Sequence, residues 1–217
     1  MLDLLKSIIY GLLLLLPISN PVFTMILYLG LSERISDKEH LVIARKTARN
    51  TFITMAVVYY TGSILISGLG ISMPGLRISG GLIILFMGFR MLFPPAKSEQ
   101  TMNPHGSDDI DISLVPLAIP GTVGPGTMAV IISYASTLNN GMMFSSLSIS
   151  VAPILVFVIV SLLIWVGVQS SNAIIKKLGS HGVQAISKIL GFVLISMGVQ
   201  FVINGIYKVL LIWESLV

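Results

Sequence analysis

Long stretches without a charged residue constrain this chain more than any other feature. One covers residues 7–32 and another covers residues 112–175. About 20 apolar residues, at a rise of 1.5 Å each, cross the hydrocarbon core of a bilayer. Only 10% of the residues are charged and 54% are hydrophobic, whereas soluble domains are about 25% charged. The sequence therefore predicts an all-α, polytopic membrane protein.

Charged and turn-forming residues divide the chain into predicted spans. Pro94-Pro95 and Asn139-Asn140-Gly141 are turn and breaker signals. Six transmembrane helices are expected, over residues 4–31, 47–67, 75–93, 112–138, 142–168 and 188–211. The connections over 33–49 and 96–111 are polar. The connection over 169–187 is expected to be an amphipathic segment in the membrane interface.

The two halves of the chain carry corresponding features. Residues 16–21 resemble residues 115–120, with the same Pro-x-x-x-Pro spacing, and Met87-Gly88 in the third span corresponds to Met197-Gly198 in the sixth. An odd number of spans in each half makes the halves oppositely oriented, as in many secondary transporters. We predict one transmembrane domain over 1–217, built from two inverted three-helix repeats. The first covers about 1–95 and the second about 112–217, joined by the cytoplasmic connection 96–111.

Helix starts inside the uncharged stretches predict broken helices 1 and 4. Asn is a preferred N-cap and Pro a preferred first residue of a helix, so Asn20-Pro21 indicates a half-helix that begins within the membrane. Gly124-Pro125 indicates a second half-helix of this kind in the second half of the chain. Unpaired N–H groups at such starts attract anionic groups. The alternative is that the breaks only bend two packed helices. The predicted solute-binding residues are Ser19, Asn20, Pro21, Gly121, Thr122, Gly124, Pro125, Gly126 and Thr127.

The distribution of Lys and Arg predicts the orientation, because cytoplasmic loops are enriched in both. Only Lys6, Arg77 and Lys208 fall on the side that carries the termini. Both termini are therefore predicted to be periplasmic. Arg77 opens the third span at that face and is a candidate outer gate that attracts a carboxylate. The alternative is that it snorkels to the lipid headgroups.

The positions of acidic residues and histidines argue against several functions. All nine acidic residues lie outside the predicted spans or at their ends, and no His lies within a span. Neither a Ser/His pair, paired carboxylates nor a His/Glu zinc site can then be built in the membrane. We therefore expect no enzyme activity, no metal and no cofactor. The net charge of +4 lies in loops and does not indicate nucleic acid as a partner.

The motifs at the breaks and in the third span resemble those of the MarC family of bacterial inner-membrane proteins, within the superfamily of LysE-type amino-acid exporters. The resemblance rests on Asn20-Pro21, on residues 70–81 and on residues 116–126. It implies six spans, residence in the inner (plasma) membrane and a transporter-like fold. Some members of the family are described as transporters of small neutral amino acids.

These observations together predict a secondary transporter, exporter or importer, for a small solute such as a small neutral amino acid. Alternating access would take place around the paired breaks. The expected partners are the solute and the lipid bilayer. Two alternatives stay open: a passive channel, and a non-transporting scaffold whose connections 33–49 and 96–111 bind partners. A space between the breaks that is filled by side chains would favour the scaffold.

Overall fold

The computed structural model describes residues 2–31, 37–94, 111–140 and 146–214, and all regular secondary structure in these ranges is helical. The elements are α1 (Leu2–Ser19), α2 (Pro21–Leu31), α3 (Asp37–Gly68), α4 (Met73–Leu92), a π-helical segment (Ser113–Thr122), α5 (Pro125–Asn140) and α6 (Ser146–Glu214). The predicted connection over 96–111 lies outside the described residues except for Asp111. The predicted start of a span at residue 142 lies outside them too.

Five helices in the described part of the chain are long and apolar enough to cross a membrane. They are Asp3–Leu29, Glu39–Gly68, Met73–Leu92, Val151–Ser171 and His181–Glu214. Residues 112–138, predicted as a fourth span with a break inside it, form two helices that meet at such a break. The π-helical segment has 10 residues and α5 has 16, each below the roughly 20 residues that a span requires. The fold is therefore that of an all-helical, multi-pass membrane protein.

Two predicted boundaries are wrong. The connection predicted over 33–49 is helical from Asp37 onward, because α3 begins well before residue 47. A helix of this length extends beyond the hydrocarbon core, so its first turns can carry charge. The connection predicted over 169–187 is not a separate element either, because α6 is helical throughout this range except at Gly179, where φ is 68° and ψ is 171°. Its location in the membrane interface stays a prediction. The two candidate membrane spans of α6, Val151–Ser171 and His181–Glu214, lie on either side of the break at Gly179.

The core forms where both breaks meet α3, α4 and α6. Its largest fully buried side chains are Tyr28, Tyr134, Phe157, Leu15, Ile18, Met55, Ile84, Leu117, Ile131, Ile164 and Leu194. The outward faces of the helices are also apolar; Leu13, for example, is 68% exposed. Lipid chains are as apolar as Leu, so helices in a membrane associate mainly through close packing rather than through the hydrophobic effect.

Glycines provide such close packing between α4 and α6. A Cβ on Gly81 would lie 2.7 Å from the carbonyl oxygen of Gly198, and a Cβ on Gly88 would lie 2.7 Å from that of Gly191. The lower-numbered glycine of α4 thus meets the higher-numbered one of α6, so the two helices run antiparallel. Small residues let helix backbones approach in this way. This antiparallel pair holds α4, and with it Arg77, in a fixed position against α6.

Candidate functional site

The break between α1 and α2 is built by Asn20. Its φ of 42° lies in the left-handed region, which Asn tolerates better than most residues. Its Oδ1 accepts a hydrogen bond of 3.0 Å from the backbone N–H of Phe23, so the predicted N-cap of α2 is confirmed. Its Nδ2 lies 3.0 Å from Sδ of Met91 on α4. Asn20 is 2% exposed, so this helix start lies in the protein interior.

The second break lies where the π-helical segment gives way to α5. The segment ends at Thr122, α5 begins at Pro125, and the backbone N–H of Met128 donates to the carbonyl oxygen of Gly124 at 2.9 Å. The helix start predicted at Gly124-Pro125 is therefore confirmed. Within the π-helical segment, Val115 and Ile119 have extended rather than helical dihedral angles.

Threonine hydroxyls join the two breaks. Oγ1 of Thr24 on α2 lies 3.1 Å from Oγ1 of Thr122. The Thr122 hydroxyl donates to the carbonyl oxygen of Leu117, and the Thr127 hydroxyl donates to that of Thr122, each at 3.0 Å. All three threonines are buried. Two carbonyl groups beside the second break therefore have donors within the protein, as a low-dielectric membrane interior requires.

The other residues predicted at the breaks are mostly packed against neighbours. A Cβ on Gly121 would lie 2.7 Å from the carbonyl oxygen of Pro116, and a Cβ on Gly126 would lie 2.9 Å from Cγ1 of Ile84. Pro125 is exposed, whereas Pro21 is partly exposed and Gly124 is buried. The structure thus brings the two groups of predicted residues together, but it fills the space beside these glycines.

Ser19 differs from these neighbours. It is fully buried, and its hydroxyl makes no hydrogen bond with a described residue. A buried hydroxyl without a partner costs about 1–3 kcal/mol. The end of α1 therefore carries a buried polar group that no described residue satisfies.

A cavity of about 330 Å³ lies between α1, α4, α5 and α6. Its lining residues are Tyr10, Leu14, Arg77, Ser133, Tyr134, Met197, Gln200, Phe201 and Asn204. They include the predicted gate residue Arg77 but none of the residues predicted at the breaks. Leu14 precedes Asn20, and Ser133 follows Pro125, by roughly two helical turns, so the cavity lies about 10 Å from the breaks along these helices.

Arg77 gives the cavity its cationic group. Its Nε donates to Oγ of Ser133 at 2.7 Å, which joins α4 to α5. On α6, Nε2 of Gln200 donates to Oδ1 of Asn204 at 2.9 Å. None of the lining residues is acidic, and no group of three or more His, Asp or Glu among the described residues is placed to hold a metal. The lining can bind a carboxylate through Arg77 and further polar groups through the amides.

Of this lining, only Arg77 is predicted from the sequence. Gln200 and Asn204 carry a signal that could have found them, since they are two amides four residues apart in an otherwise apolar helix and share one face. Tyr10 and Tyr134 carry none, because tyrosine is common near the ends of membrane spans.

The start of the π-helical segment is anchored by Asp111. Its Oδ1 accepts from the backbone N–H of Ser113 at 3.0 Å and from the Ser113 hydroxyl at 2.6 Å. The Ser113 hydroxyl in turn accepts from Asn50 on α3, and Lys46 lies 3.4 Å from Oδ2 of Asp111. Burial by itself raises the pKa of Asp111, but the Ser113 hydrogen bonds and the Lys46 charge outweigh it and hold that pKa below its ordinary value.

Comparisons with known proteins agree along nearly the whole chain. Residues 5–210 match a family model described as "MarC family integral membrane protein". Proteins named "UPF0056 inner membrane protein MarC" from Citrobacter koseri and Escherichia coli O1:K1 are each 43% identical to it, and one from Salmonella typhimurium is 42% identical. Each comparison covers 97% of this chain and 98% of the relative. No solved structure matches.

Proposed function

This chain belongs to the MarC family of integral membrane proteins, and we propose that it is a secondary transporter of a small solute. The observation that carries the proposal is the meeting of two helix breaks in the protein interior, where the hydroxyls of Thr24 and Thr122 lie 3.1 Å apart. Irregular backbone at membrane depth occurs where protein buries it or where it lines a cavity. In secondary transporters such breaks surround the solute site.

The proposal includes six spans in two inverted repeats, with the π-helical segment and α5 as the broken fourth span. The glycine contacts of α4 and α6 support it. In the register that aligns Gly88 with Gly198, Gly81 aligns with Gly191. The contacts join Gly81 to Gly198 and Gly88 to Gly191. When each glycine is replaced by its equivalent in the other half, the contact of Gly81 with Gly198 becomes the contact of Gly191 with Gly88. A two-fold axis between the halves produces this pattern.

The proposed solute site is the cavity at Arg77, and the proposed solutes are small neutral amino acids, as the family resemblance implies. The carboxylate would bind the Arg77 guanidinium, and the amide oxygens of Gln200 and Asn204 would accept from the ammonium group. The volume of about 330 Å³ is at the small end of ligand sites, which suits a small solute. Ser19 would contact the solute after the breaks separate.

The proposed location is the inner membrane, with both termini periplasmic and Arg77 as the outer gate. The names of the relatives support the location, and the distribution of Lys and Arg supports the orientation. No catalytic group and no cofactor takes part in the proposed cycle. A reporter fused after the last residue should be active in the periplasm, and a cytoplasmic signal would contradict this orientation.

Counterflow in proteoliposomes tests the function. Vesicles that contain the folded protein and are preloaded with unlabelled glycine or alanine should accumulate the labelled solute with saturation. Arg77→Gln should raise the KM about tenfold or more, because a hydrogen bond to a charged group contributes roughly 1.5–3 kcal/mol, while Lys6→Gln should leave it unchanged. Uptake without saturation or counterflow would instead identify a channel.

The filled space beside Gly121 and Gly126 favours a second candidate, a non-transporting membrane scaffold. The breaks would then serve to pack α2 against the π-helical segment. In that case no small neutral amino acid is taken up above the level of empty vesicles, although the protein is folded. Arg77→Gln would then change stability, through its hydrogen bond to Ser133, without any change in solute flux.

A further inference from the structure

A second groove lies between α3 and α6, away from the cavity at Arg77. It has a volume of about 360 Å³ and is lined by Arg45, Ala48, Arg49, Phe52, Val158, Ser161, Leu162 and Trp165. The four residues from α3 recur at helical spacing, as do the four from α6, so each set forms one continuous face. Because α3 and the first part of α6 cross the membrane as neighbours, the groove opens toward lipid.

Two arginines occupy one end of this groove. Arg45 and Arg49 are exposed and lie one helical turn apart. Neither makes an ion pair with a described residue, whereas the adjacent Lys46 pairs with Asp111. The membrane span of α3 begins at Glu39, so Arg45 lies about 9 Å and Arg49 about 15 Å along it. The span is longer than the hydrocarbon core is thick, so both guanidinium groups can reach the headgroup layer.

The rest of the groove surface is apolar. Phe52 and Val158 lie at its deeper end and Trp165 lies near its charged end, the depth at which Trp is enriched in membrane proteins. Ser161 is only 7% exposed, and its hydroxyl makes no hydrogen bond with a described residue. Ser161 itself lines the groove, but its hydroxyl oxygen is buried beneath the groove surface.

We propose that this groove binds an anionic phospholipid. The phosphodiester lies between the guanidinium groups of Arg45 and Arg49, which suit bidentate hydrogen bonding to phosphate. One acyl chain lies along Phe52 and Leu162, on the apolar surface of the groove. Basic pockets between membrane helices recognise anionic headgroups in this way. The site does not depend on the proposed transport function.

Lipid titration of the purified full-length protein tests the site. Native mass spectrometry would count bound phosphatidylglycerol and bound phosphatidylcholine with the same acyl chains, and we expect preference for phosphatidylglycerol. Replacing both Arg45 and Arg49 by Gln should weaken phosphatidylglycerol binding about 30-fold, given the usual effect of each basic residue. The matched control replaces Lys176 and Lys177 by Gln, which removes the same charge from exposed residues of α6 outside the groove, and should leave binding unchanged.

A second variant tests the shape of the groove independently of its charge. Ser161→Leu fills the groove without changing the charge and should also weaken phosphatidylglycerol binding, while thermal unfolding confirms that the variant is folded. Inorganic phosphate in excess should not displace the lipid; displacement would identify a simple phosphate site and overturn the proposal. Equal affinity for both lipids, or an equal loss in the lysine control, would overturn it as well.

Discussion

Asn20 combines a backbone conformation, a helix cap and a contact with α4, and its replacements separate these contributions. Asn20→Ala loses the cap and meets the penalty of the left-handed region, so we expect the free energy of unfolding to fall by about 2 kcal/mol. Asn20→Gly loses the cap but accepts the positive φ, so its loss should be smaller. Unfolding of both variants in detergent measures the difference. An equal loss of unfolding free energy in both variants would show that the positive φ at residue 20 does not affect stability.

The carboxylate of Asp111 makes stability depend on pH, and the sign follows from its lowered pKa. Its contribution is complete above the ordinary Asp pKa of about 4 and is lost as pH falls through the lower, folded-state pKa. Because its side chain is 42% exposed, the effect should be well under about 1 kcal/mol. Asp111→Asn should therefore unfold slightly more easily than the parent at pH 7, and this difference should shrink as the pH falls below the ordinary Asp pKa of about 4. A difference that persists unchanged at low pH would contradict this assignment; Glu214→Gln is the matched control.

The chemistry of single residues could be predicted from sequence only where it is local. The cap at Asn20 is such a case, since the capped N–H group belongs to the third residue after it. The contact of Asn20 with Met91 and that of Thr24 with Thr122 join residues far apart in sequence. No local pattern specifies them, so Thr24, the residue that joins the breaks, could not be identified from sequence.

The antiparallel pair of α4 and α6 depends on bare backbone at its crossing points. A Cβ on Gly198 would lie 2.6 Å from the carbonyl oxygen of Gly81. Neighbouring backbone cannot move aside as a flexible side chain can, so Gly198→Ala should destabilise the protein by about 1–3 kcal/mol. Gly68→Ala is the control, because a Cβ at the end of α3 would meet nothing within 4 Å. Unfolding in detergent should show a clearly lower stability for Gly198→Ala than for Gly68→Ala. Equal stability of the two variants would show that α4 and α6 accommodate a Cβ at this contact without cost.

The helix breaks could be predicted because Asn, Pro and Gly act on the backbone at their own positions. The length of α3 could not, since the charges of residues 38–49 suit a protruding helix as well as a loop. The same holds for residues 169–187, where α6 is divided only by the positive φ of Gly179. Packing against neighbouring helices decides between these conformations, and a single sequence does not encode that choice locally.

The molecule as a whole presents a contrast between an open cavity at Arg77 and closely packed breaks about 10 Å away along the helices. The two features fit one state of a transporter in which the solute can enter the cavity but cannot pass the breaks. Alternating access then requires α2 to move away from the π-helical segment. A scaffold requires no such movement, so a covalent link across the breaks distinguishes the two proposals.

The absence of cysteine from the chain makes that link straightforward to introduce. Thr24→Cys combined with Thr122→Cys replaces two hydroxyls that lie 3.1 Å apart, a separation that small side-chain rotations can close to a disulfide. Oxidation should abolish solute counterflow and reduction should restore it, with mass spectrometry confirming the bond. Each single substitution is the control and should transport equally in both redox states. Full counterflow by the cross-linked protein would show that the breaks stay together throughout the cycle, and the solute would then have to cross by another route.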